Sequence, residues 1–456
     1  MNNPKLALQL ENSAGLHFPD PQSRSAQLFA RACAVLPGGN TRHSVYFPPY
    51  PIHAVRGQGC RVWDADGVER IDMMNNYSSL IHGHSHPAVV QAIAQQASRL
   101  TSIALPTEPE IELAELLVTR LDAVEQVRFC NSGTEAVLFA IKAARAFTGR
   151  PLIAKIEGAY HGSGETAAVS TSPTPSDWGD ASCPASVQDK GSGSGVAQDV
   201  IVIPMNDVEN GRRILREHGP RLAGVLIDPL VKNLGFKPVS TAFLSMVREE
   251  LDRCGGLLIF DEVYSLRLGF HGAHRELGMR PDILALGKII GGGLPIGAIG
   301  GRKDILTELF DPQKGAKLNH AGTFNANPLT MAAGLAAMTH FDEAAFNRLS
   351  GLGQRLRDGL LEALKLSDQP GIVTGTTSLT GLFLVDRPIE NWRDLVGMIA
   401  ANPSVMKKSE LLFHHLLNKG IIIGAQGFFV LSTAITEAEV DHAIDAVLSG
   451  LKSLPA

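Results

Sequence analysis

Several features that mark other classes of protein are scarce or missing in this chain. Its five cysteines, at positions 33, 60, 130, 183 and 254, show no Cys-x-x-Cys spacing, which predicts reduced thiols instead of a disulfide framework or a zinc site. No apolar run approaches the roughly 18 residues of a membrane span, and the N-terminal residues lack the apolar region of a secretory signal. The net charge of −5 at pH 7 offers no basic surface to nucleic acid or to a membrane. These absences predict a cytoplasmic protein of enzyme size without nucleic-acid, membrane or metal partners.

The middle of the chain alternates between apolar strand-like runs and helix-like segments. The 456 residues, 44 % of them hydrophobic, suggest about two to three domains. Because the runs are apolar on both faces, the alternation predicts an α/β fold with a mostly parallel central sheet covered by helices. The predicted strands are Val127–Cys130, Leu152–Ile156, Val200–Ile203, Gly224–Ile227, Leu257–Phe260 and Ile283–Leu286.

The two ends of the chain have a different pattern of predicted strands and helices. Residues 52–73 predict two short strands around an Asp-Gly turn, and the chain after Phe341 predicts helices mixed with short strands. Residues 171–198, rich in Ser, Pro, Gly and Asp, predict a long surface loop. We therefore expect a large central domain and a small α+β domain built from both chain ends, with the limits 1–74, 75–335 and 336–456.

Polar residues stand where the predicted strands end. They are Asn131, Asp228, Asp261 and Lys288. In open α/β sheets, ligands bind beyond the carboxyl ends of the strands. These side chains are therefore candidates for one shared site.

Lys288 is the most informative of them. It follows a short apolar strand and precedes the glycines 291–293, a setting in which a lysine is removed from water. A desolvated lysine with a lowered pKa is the amine that forms Schiff bases with carbonyl compounds. The alternative is a solvated lysine in a turn, which for a lysine taken alone is the commoner case.

Three further motifs suit a phosphate-bearing aromatic cofactor. Ser132, Gly133 and Thr134 place hydroxyls and N–H groups at the start of a helix, which is either an anion site or a plain helix cap. Tyr160 lies close to glycines that let its ring approach a flat ligand, although such a residue is also common in turns. Asp261 ends a strand and is suited to pair with a protonated ring nitrogen, unless it is an ordinary solvated acid.

Other motifs in the chain are weaker. Gly-Lys at 287–288 is no Walker motif, because aspartate stands at 282 where glycine is required and isoleucine follows the lysine. Gly-Ser-Gly-Ser-Gly at 191–195 follows no strand and is typical of a linker. His-Gly-His-Ser-His at 82–86 has no acidic or cysteine residue near it in the sequence, so we interpret its histidines as structural.

The order of the motifs resembles that of the class III aminotransferases, fold-type I enzymes that depend on pyridoxal 5'-phosphate. The resemblance extends from about Arg31 to Leu451. It is carried by Asn-Ser-Gly-Thr-Glu-Ala (131–136), Tyr-His-Gly (160–162), Asp-Pro (228–229), Asp-Glu-Val (261–263), Gly-Lys (287–288), Gly-Gly-Gly-Leu-Pro (291–295) and Gly-Thr-Phe-Asn-Ala-Asn-Pro (322–328). Pro-Gly-Gly-Asn (37–40), Trp-Asp-Ala-Asp-Gly (63–67) and Gly-His-Ser-His-Pro (83–87) are similar to N-terminal elements of the same family.

This resemblance implies a role for each residue of the site. Lys288 would carry the cofactor as a Schiff base and move the proton, and Asp261 would keep the ring nitrogen protonated. Asp228, where the family more often has glutamate, would serve beside it. The remaining cofactor contacts implied are Ser132, Gly133 and Thr134 at the phosphate, Thr323 at the same phosphate from a second subunit, and Tyr160 and Val263 on the two ring faces. A site shared in this way implies a homodimer.

Within the class, the chain resembles glutamate-1-semialdehyde aminomutases and aminotransferases of β-amino acids. Pro-Gly-Gly-Asn-Thr-Arg (37–42) is more similar to the second group, in which an arginine grips a substrate carboxylate, so Arg42 is the candidate here. Gln426 stands near a position where that group often has arginine, and glutamine forms no salt bridge.

Three functional hypotheses follow. In the first, the enzyme transfers an amino group from a β- or other non-α amino acid to an oxo-acid. In the second, it moves an amino group within one molecule, as a glutamate-1-semialdehyde aminomutase does. The third is a non-catalytic, cofactor-binding paralogue, which the presence of both Lys288 and Asp261 disfavours.

Overall fold

A computed structural model describes residues 17–455 of the chain. The N-terminal residues, for which the sequence predicts no secretory signal, lie outside the described part. The described chain divides into two units. The large unit comprises residues 87–346 and 388–401, and the small unit comprises residues 17–86, 347–387 and 402–455. The expected domain limits at residues 74 and 335 stay a prediction.

A seven-stranded sheet forms the centre of the large unit. Six of its strands run parallel, and one runs antiparallel to both of its neighbours. The α/β fold with a mostly parallel sheet is thus confirmed. In spatial order the strands are Gln126–Cys130, Gly297–Gly301, Ile283–Gly287, Leu257–Asp261, Leu222–Ile227, Leu152–Ile156 and Val200–Ile203.

The antiparallel strand Gly297–Gly301 is not predicted by the sequence. Three of its five residues are glycine, which has a low strand propensity. Packing explains the composition, since a Cβ atom on Gly297 would lie 2.0 Å from the carbonyl oxygen of Ser132. Gly297 therefore lies where the loop after Cys130 passes directly over the strand, and Gly300 and Gly301 likewise lie close to Val124 and to the Asp282 carbonyl oxygen, respectively.

Helices cover the sheet and begin and end at recognisable signals. The helix Gly133–Thr148 is capped by the Ser132 hydroxyl and ends at Gly149 with a left-handed φ of 67°, as helix C-termini often do. Its buried alanines and branched residues pack on Ile259, Ile283 and neighbouring strand residues. The other helices of the large unit are Pro87–Arg99, Glu108–Arg120, Glu165–Ala168, Val208–His218, Thr241–Cys254, Ala273–Glu276, Lys303–Phe310, Pro328–His340 and Trp392–Ala401.

The small unit contains two sheets and four longer helices. One sheet consists of Ala54–Gln58, Arg61–Asp64, Glu69–Asp72 and Ile421–Ile422, and the other of Ile372–Thr376, Leu379–Phe383 and Phe428–Val430. The helices are Arg24–Cys33, Glu343–Ser367 (most of which belongs to this unit), Ser404–Asn418 and Glu437–Ser453, with the short turn Asn75–Ser78. No helix within residues 17–455 combines the length and apolar character that a membrane crossing requires.

Candidate active site

Three neighbouring parallel strands deliver three charged side chains to one edge of the large sheet. Asp228 follows Leu222–Ile227, Asp261 is the last residue of its strand, and Lys288 follows Ile283–Gly287. The register pairs Phe260 with Ile227 on one side and Asp261 with Ala285 on the other. Electrostatic interaction of Lys288 with both aspartates follows from this arrangement. The structure thus brings together Asp228, Asp261 and Lys288, three of the four strand-end residues singled out in the sequence.

Lys288 lies in an environment that favours a neutral amine. Burial lowers its pKa from 10.5 to about 8, the two aspartates oppose the shift, and the nearby ammonium of Lys232 adds to it. Its Nζ lies 4.4 Å from the centroid of the Tyr264 ring. The backbone of Lys288 has a φ of +48°, which is uncommon for a residue with a side chain and is typical of functional sites.

Asp261 has a histidine partner, His161, that was not among the predicted site residues. His161 Nδ1 lies 2.9 Å from Asp261 Oδ2, and the Val263 N–H donates to Oδ1 at 3.1 Å. Burial lowers the pKa of His161, so the ring is neutral and its Nδ1–H donates to the carboxylate. The Tyr-His-Gly triplet (160–162) is the sequence signal that could have identified His161, although it led only to the prediction of Tyr160 as a cofactor contact. The pair holds a buried carboxylate in a fixed orientation.

The loop at 131–134 combines a helix cap with an open N-terminus. The Ser132 hydroxyl accepts the Glu135 N–H at 3.1 Å and caps the helix. Glu135 Oε2 accepts the N–H of Asn131, the residue before the cap, at 2.6 Å. Of the two alternatives for residues 132–134, a helix cap or an anion site, the helix cap is therefore present. The first N–H groups of the helix, at Gly133 and Thr134, have no partner within the helix itself, and this end attracts anions.

Glycines keep the space around this loop clear. A Cβ atom on Gly133 would lie 2.8 Å from a methyl group of Val263, and one on Gly162 would lie 2.6 Å from Thr134 Oγ1. Gly162 also has a φ of +90°. Val263 therefore packs beside the helix start, and the Tyr160–Gly162 turn closes over Thr134.

Lys232 is a second lysine at this edge, and no sequence motif pointed to it. Its Nζ lies 5.8 Å from the centroid of the Tyr160 ring, and that tyrosine is 48 % exposed. Burial lowers the pKa of Lys232, with Asp228 opposing the shift. The pKa of Asp228 itself is raised by burial and by the nearby Asp261. Two lysines and two aspartates thus share one partly desolvated region.

Thr323 lies on an exposed loop of the large unit. It lines a cavity of about 760 Å³ between residues 102–106 and 320–328. Within the chain, this loop is joined to the phosphate-loop candidate by a 2.8 Å hydrogen bond from Asn131 Nδ2 to Asn325 Oδ1.

The two substrate candidates lie in the small unit. Arg42 is exposed, and its Nη1 donates to Asn76 Oδ1 at 2.8 Å. Gln426 is exposed in the turn that leads into the strand Phe428–Val430. Their contact with a substrate stays a prediction.

A buried ionic network supports the strand end that carries Asp261. Glu262 is fully buried and accepts hydrogen bonds from His274 Nδ1 at 2.9 Å and from two backbone N–H groups. His274 Nε2 lies 3.0 Å from Asp122 Oδ1. Although burial alone lowers the pKa of His274, the two carboxylates outweigh it and the net shift is upward.

The histidines at 82–86 have local partners. His84 Nε2 lies 2.7 Å from Asp72 Oδ2, and His82 Nδ1 lies 2.8 Å from Thr433 Oγ1. Across the described residues, no group of three or more histidine, cysteine, aspartate or glutamate side chains is arranged to hold a metal ion.

The site and fold define a transferase of the pyridoxal-phosphate type, and comparison with known proteins specifies the family. Residues 44–453 match the family model of aminotransferase class-III, and the chain belongs to this family. Enzymes of this family use pyridoxal 5'-phosphate, which is therefore the cofactor of this protein.

Similar proteins include transaminases and aminomutases. The chain is 36 % identical to the beta-phenylalanine transaminase of Variovorax paradoxus, with 94 % of this chain and 93 % of that protein covered. It is 35 % identical to the glutamate-1-semialdehyde 2,1-aminomutase 2 of Halalkalibacterium halodurans, with 94 % and 98 % covered. The crystal structure of an omega-transaminase from Sphaerobacter thermophilus superimposes with a TM-score of 0.91 at 45 % identity, with 95 % and 98 % covered.

The residues of the site fit the cofactor of the family. Lys288 is a buried amine with a lowered pKa, which suits an aldehyde. Asp261 is a buried carboxylate bonded to His161, which suits a protonated ring nitrogen. The helix start at Gly133 offers N–H groups without a partner in the helix, which suit a phosphate. The partly exposed ring of Tyr160 offers a flat surface at the same edge.

Proposed function

We propose that the protein is an aminotransferase that moves the amino group of a β- or other non-α amino acid to an oxo-acid acceptor. The observation that carries the proposal is the position of Lys288, with its lowered pKa, next to the Asp261–His161 pair. The substrate class is supported by the relatives named as a beta-phenylalanine transaminase and an omega-transaminase.

In this mechanism, bound pyridoxal phosphate supplies an aldehyde carbon and an electron-poor ring that stabilises negative charge on the donor carbon. Lys288 Nζ would hold the aldehyde carbon and would be the base that accepts the proton from the donor carbon. Asp261 would keep the ring nitrogen protonated, with His161 holding the carboxylate in place. Asp228 adds a second carboxyl group that opposes the loss of the Lys288 proton.

The cofactor phosphate is assigned to the helix start at Ser132, Gly133 and Thr134, with Tyr160 and Val263 against the ring. Thr323 of a second copy of the chain is assigned to the same phosphate. Support for a homodimer comes from large apolar side chains exposed near Thr323, among them Phe324 at 58 % and Leu105 at 69 %, because contiguous exposed apolar groups mark association surfaces. Whether the protein is cytoplasmic, as the sequence suggests, stays a prediction.

Arg42 is proposed to bind the substrate carboxylate. Its hydrogen bond to Asn76 leaves other N–H donors of the guanidinium available, and the guanidinium fork matches a carboxylate. Gln426 is proposed to contact the substrate by hydrogen bonding alone, because it carries no charge.

A second candidate is intramolecular amino transfer. It is favoured by the 35 % identity to a glutamate-1-semialdehyde aminomutase over nearly the whole of both chains. The two functions differ in one requirement. A mutase forms product without an external acceptor, whereas an aminotransferase needs one for every turnover.

The experiment is a set of half-reactions. Holoenzyme is mixed with β-amino acids, α-amino acids and glutamate-1-semialdehyde, and the visible absorbance of the lysine-bound cofactor is followed. We expect β-amino acids to discharge the absorbance, and pyruvate or 2-oxoglutarate to restore it. No response to any β-amino acid would exclude this substrate class, and turnover of glutamate-1-semialdehyde without an acceptor would establish the mutase instead.

A further inference from the structure

Lys155 is a fully buried lysine behind the candidate active site. It lies on the strand Leu152–Ile156, and its side chain has no exposed surface. Lysine is almost never fully buried unless it is paired. Within residues 17–455, no carboxylate forms an ion pair with it. Its partners are instead oxygen atoms of the loop that follows the strand.

These oxygens surround the amino group. Lys155 Nζ donates to the carbonyl oxygens of Ala159 at 2.9 Å, Ala167 at 2.7 Å and Val169 at 2.6 Å, and the Thr171 hydroxyl lies at 3.4 Å. An ammonium group has three N–H donors, whereas a neutral amine has two. Three short contacts to carbonyl oxygens therefore require the charged form. Burial acts in the opposite direction and lowers the pKa of Lys155 to about 7.

The loop held by this ammonium carries two residues of the site. Ala159 directly precedes Tyr160 and His161, while Ala167, Val169 and Thr171 form the far side of the same loop. The ammonium thus ties both arms of the loop to one point. His161 then contacts Asp261 at 2.9 Å. Two hydrogen bonds and the backbone from Ala159 to His161 between them therefore connect Lys155 with the carboxylate.

The charge of Lys155 also acts on His161. Both side chains are buried, so water does not screen their interaction. The pKa of His161 is lowered by burial first and by Lys155 in addition, whereas Asp261 opposes the shift. Asp261 and Lys155 are the charged groups that face His161. A neutral His161 donates its Nδ1–H to the Asp261 carboxylate.

We propose that Lys155 is a positioning residue of the active site, whose buried ammonium ties the two arms of the loop together and so holds the Tyr160–His161 turn beside Asp261. The proposal rests on the cofactor roles proposed for Tyr160 and Asp261. The two claims can fail separately. If the proposed function holds, Lys288→Ala abolishes amino transfer, and this result does not depend on the role of Lys155.

The test compares Lys155→Met with the matched control Arg120→Met. Arg120 is another cation of the large unit that donates to backbone carbonyl oxygens, those of Met338 at 2.8 Å and Phe341 at 3.1 Å. Pyridoxal phosphate binding to each apoenzyme is measured by fluorescence. We expect the dissociation constant to rise about tenfold or more in Lys155→Met, because buried carbonyl groups lose their donor, and to stay within about twofold in Arg120→Met.

Two readouts distinguish positioning from general destabilisation. By NMR of histidine-labelled apoenzyme, assigned with a His161→Asn variant, the His161 titration should move to higher pH in Lys155→Met but not in Arg120→Met. In a double-mutant cycle, Lys155→Met should weaken cofactor binding less in the His161→Asn background than in the native one. An unchanged His161 titration together with additive effects would overturn the proposal.

Should Lys155→Met fail to fold, two measurements remain. Lys155→Gln retains two N–H donors without the charge and should show the same upward shift of the His161 titration. In the unaltered protein, ¹⁵N NMR of the lysine side chains at pH 7 should show a slowly exchanging ammonium signal that is missing from Lys155→Gln. A neutral amine at this position would contradict the proposal.

Discussion

Lys232, the second lysine of the site, allows a direct test of the reactivity of Lys288. Lys232 lowers the pKa of Lys288, in addition to the larger effect of burial. The perturbation is Lys232→Met, which removes the charge and keeps a side chain of similar length. Since one like charge is lost from the neighbourhood, the pKa of Lys288 should rise.

The expected size follows from the pKa of about 8. At pH 7.5, about one quarter of the Lys288 side chains are then neutral, against about one in a thousand for a lysine with the ordinary pKa near 10.5. An interaction of about 1 kcal/mol between two screened like charges corresponds to roughly 0.7 pKa unit. Lys232→Met should therefore shift the midpoint upward by roughly 0.7 pH unit.

The assay is the rate at which apoenzyme captures pyridoxal phosphate, followed by stopped-flow absorbance between pH 6 and 10. Lys237→Met is the control, because Lys237 lies in the same segment but pairs with Glu390 at 2.7 Å. We expect a midpoint near 8 for the unaltered protein and for Lys237→Met. A midpoint near the ordinary lysine value, or no displacement in Lys232→Met, would refute the electrostatic account of the site.

Three further predictions concern the groups around the site. Replacing His161 by Phe should weaken cofactor binding by roughly 10- to 150-fold, which corresponds to about 1.5–3 kcal/mol for a hydrogen bond to a charged group. His161→Asn, whose amide can still donate to Asp261, should lose far less affinity, and equal losses of affinity in both variants would contradict the role of that bond. The pKa of His274 is raised in the folded protein, so its contribution to stability is present below the unfolded pKa near 6.5 and disappears as the pH rises through the folded value; denaturant titrations should show this dependence, and His274→Phe should flatten it. Gly297→Ala should destabilise the large unit by about 1–3 kcal/mol or more, because its Cβ would lie 2.0 Å from the Ser132 carbonyl oxygen; unchanged thermal unfolding would show that this close approach is absent in solution.

Local patterns in the sequence were sufficient for much of the fold. The strands Leu152–Ile156 and Val200–Ile203 have the predicted bounds, because a short apolar run between polar turns forms a buried strand that begins and ends with the run. Gly297–Gly301 was not predicted, since its glycines make room for residues distant in the sequence; Gly297, for example, lies against Ser132, more than 160 residues earlier in the chain. Tertiary contact outweighed strand propensity there.

The site residues also divide into those that local sequence predicts and those that depend on tertiary contacts. Asp261 and Lys288 could be chosen from the sequence because each directly follows an apolar run at a strand end. His161, Lys232 and Lys155 could not be assigned, because what distinguishes them is burial and the groups they face. The partner of His161, for example, lies 100 residues further along the chain, and no spacing rule connects the two. Arg42 and Gln426 depend on a substrate that the sequence does not specify.

The transfer of nitrogen between two molecules tests the central claim most directly. Holoenzyme is incubated with a ¹⁵N-labelled β-amino acid and an unlabelled oxo-acid, and both amino products are analysed by mass spectrometry, with Lys288→Ala as the control. We expect ¹⁵N in the amino acid formed from the acceptor, and none with Lys288→Ala. Label that stays within the donor skeleton, or transfer that survives in Lys288→Ala, would contradict the account.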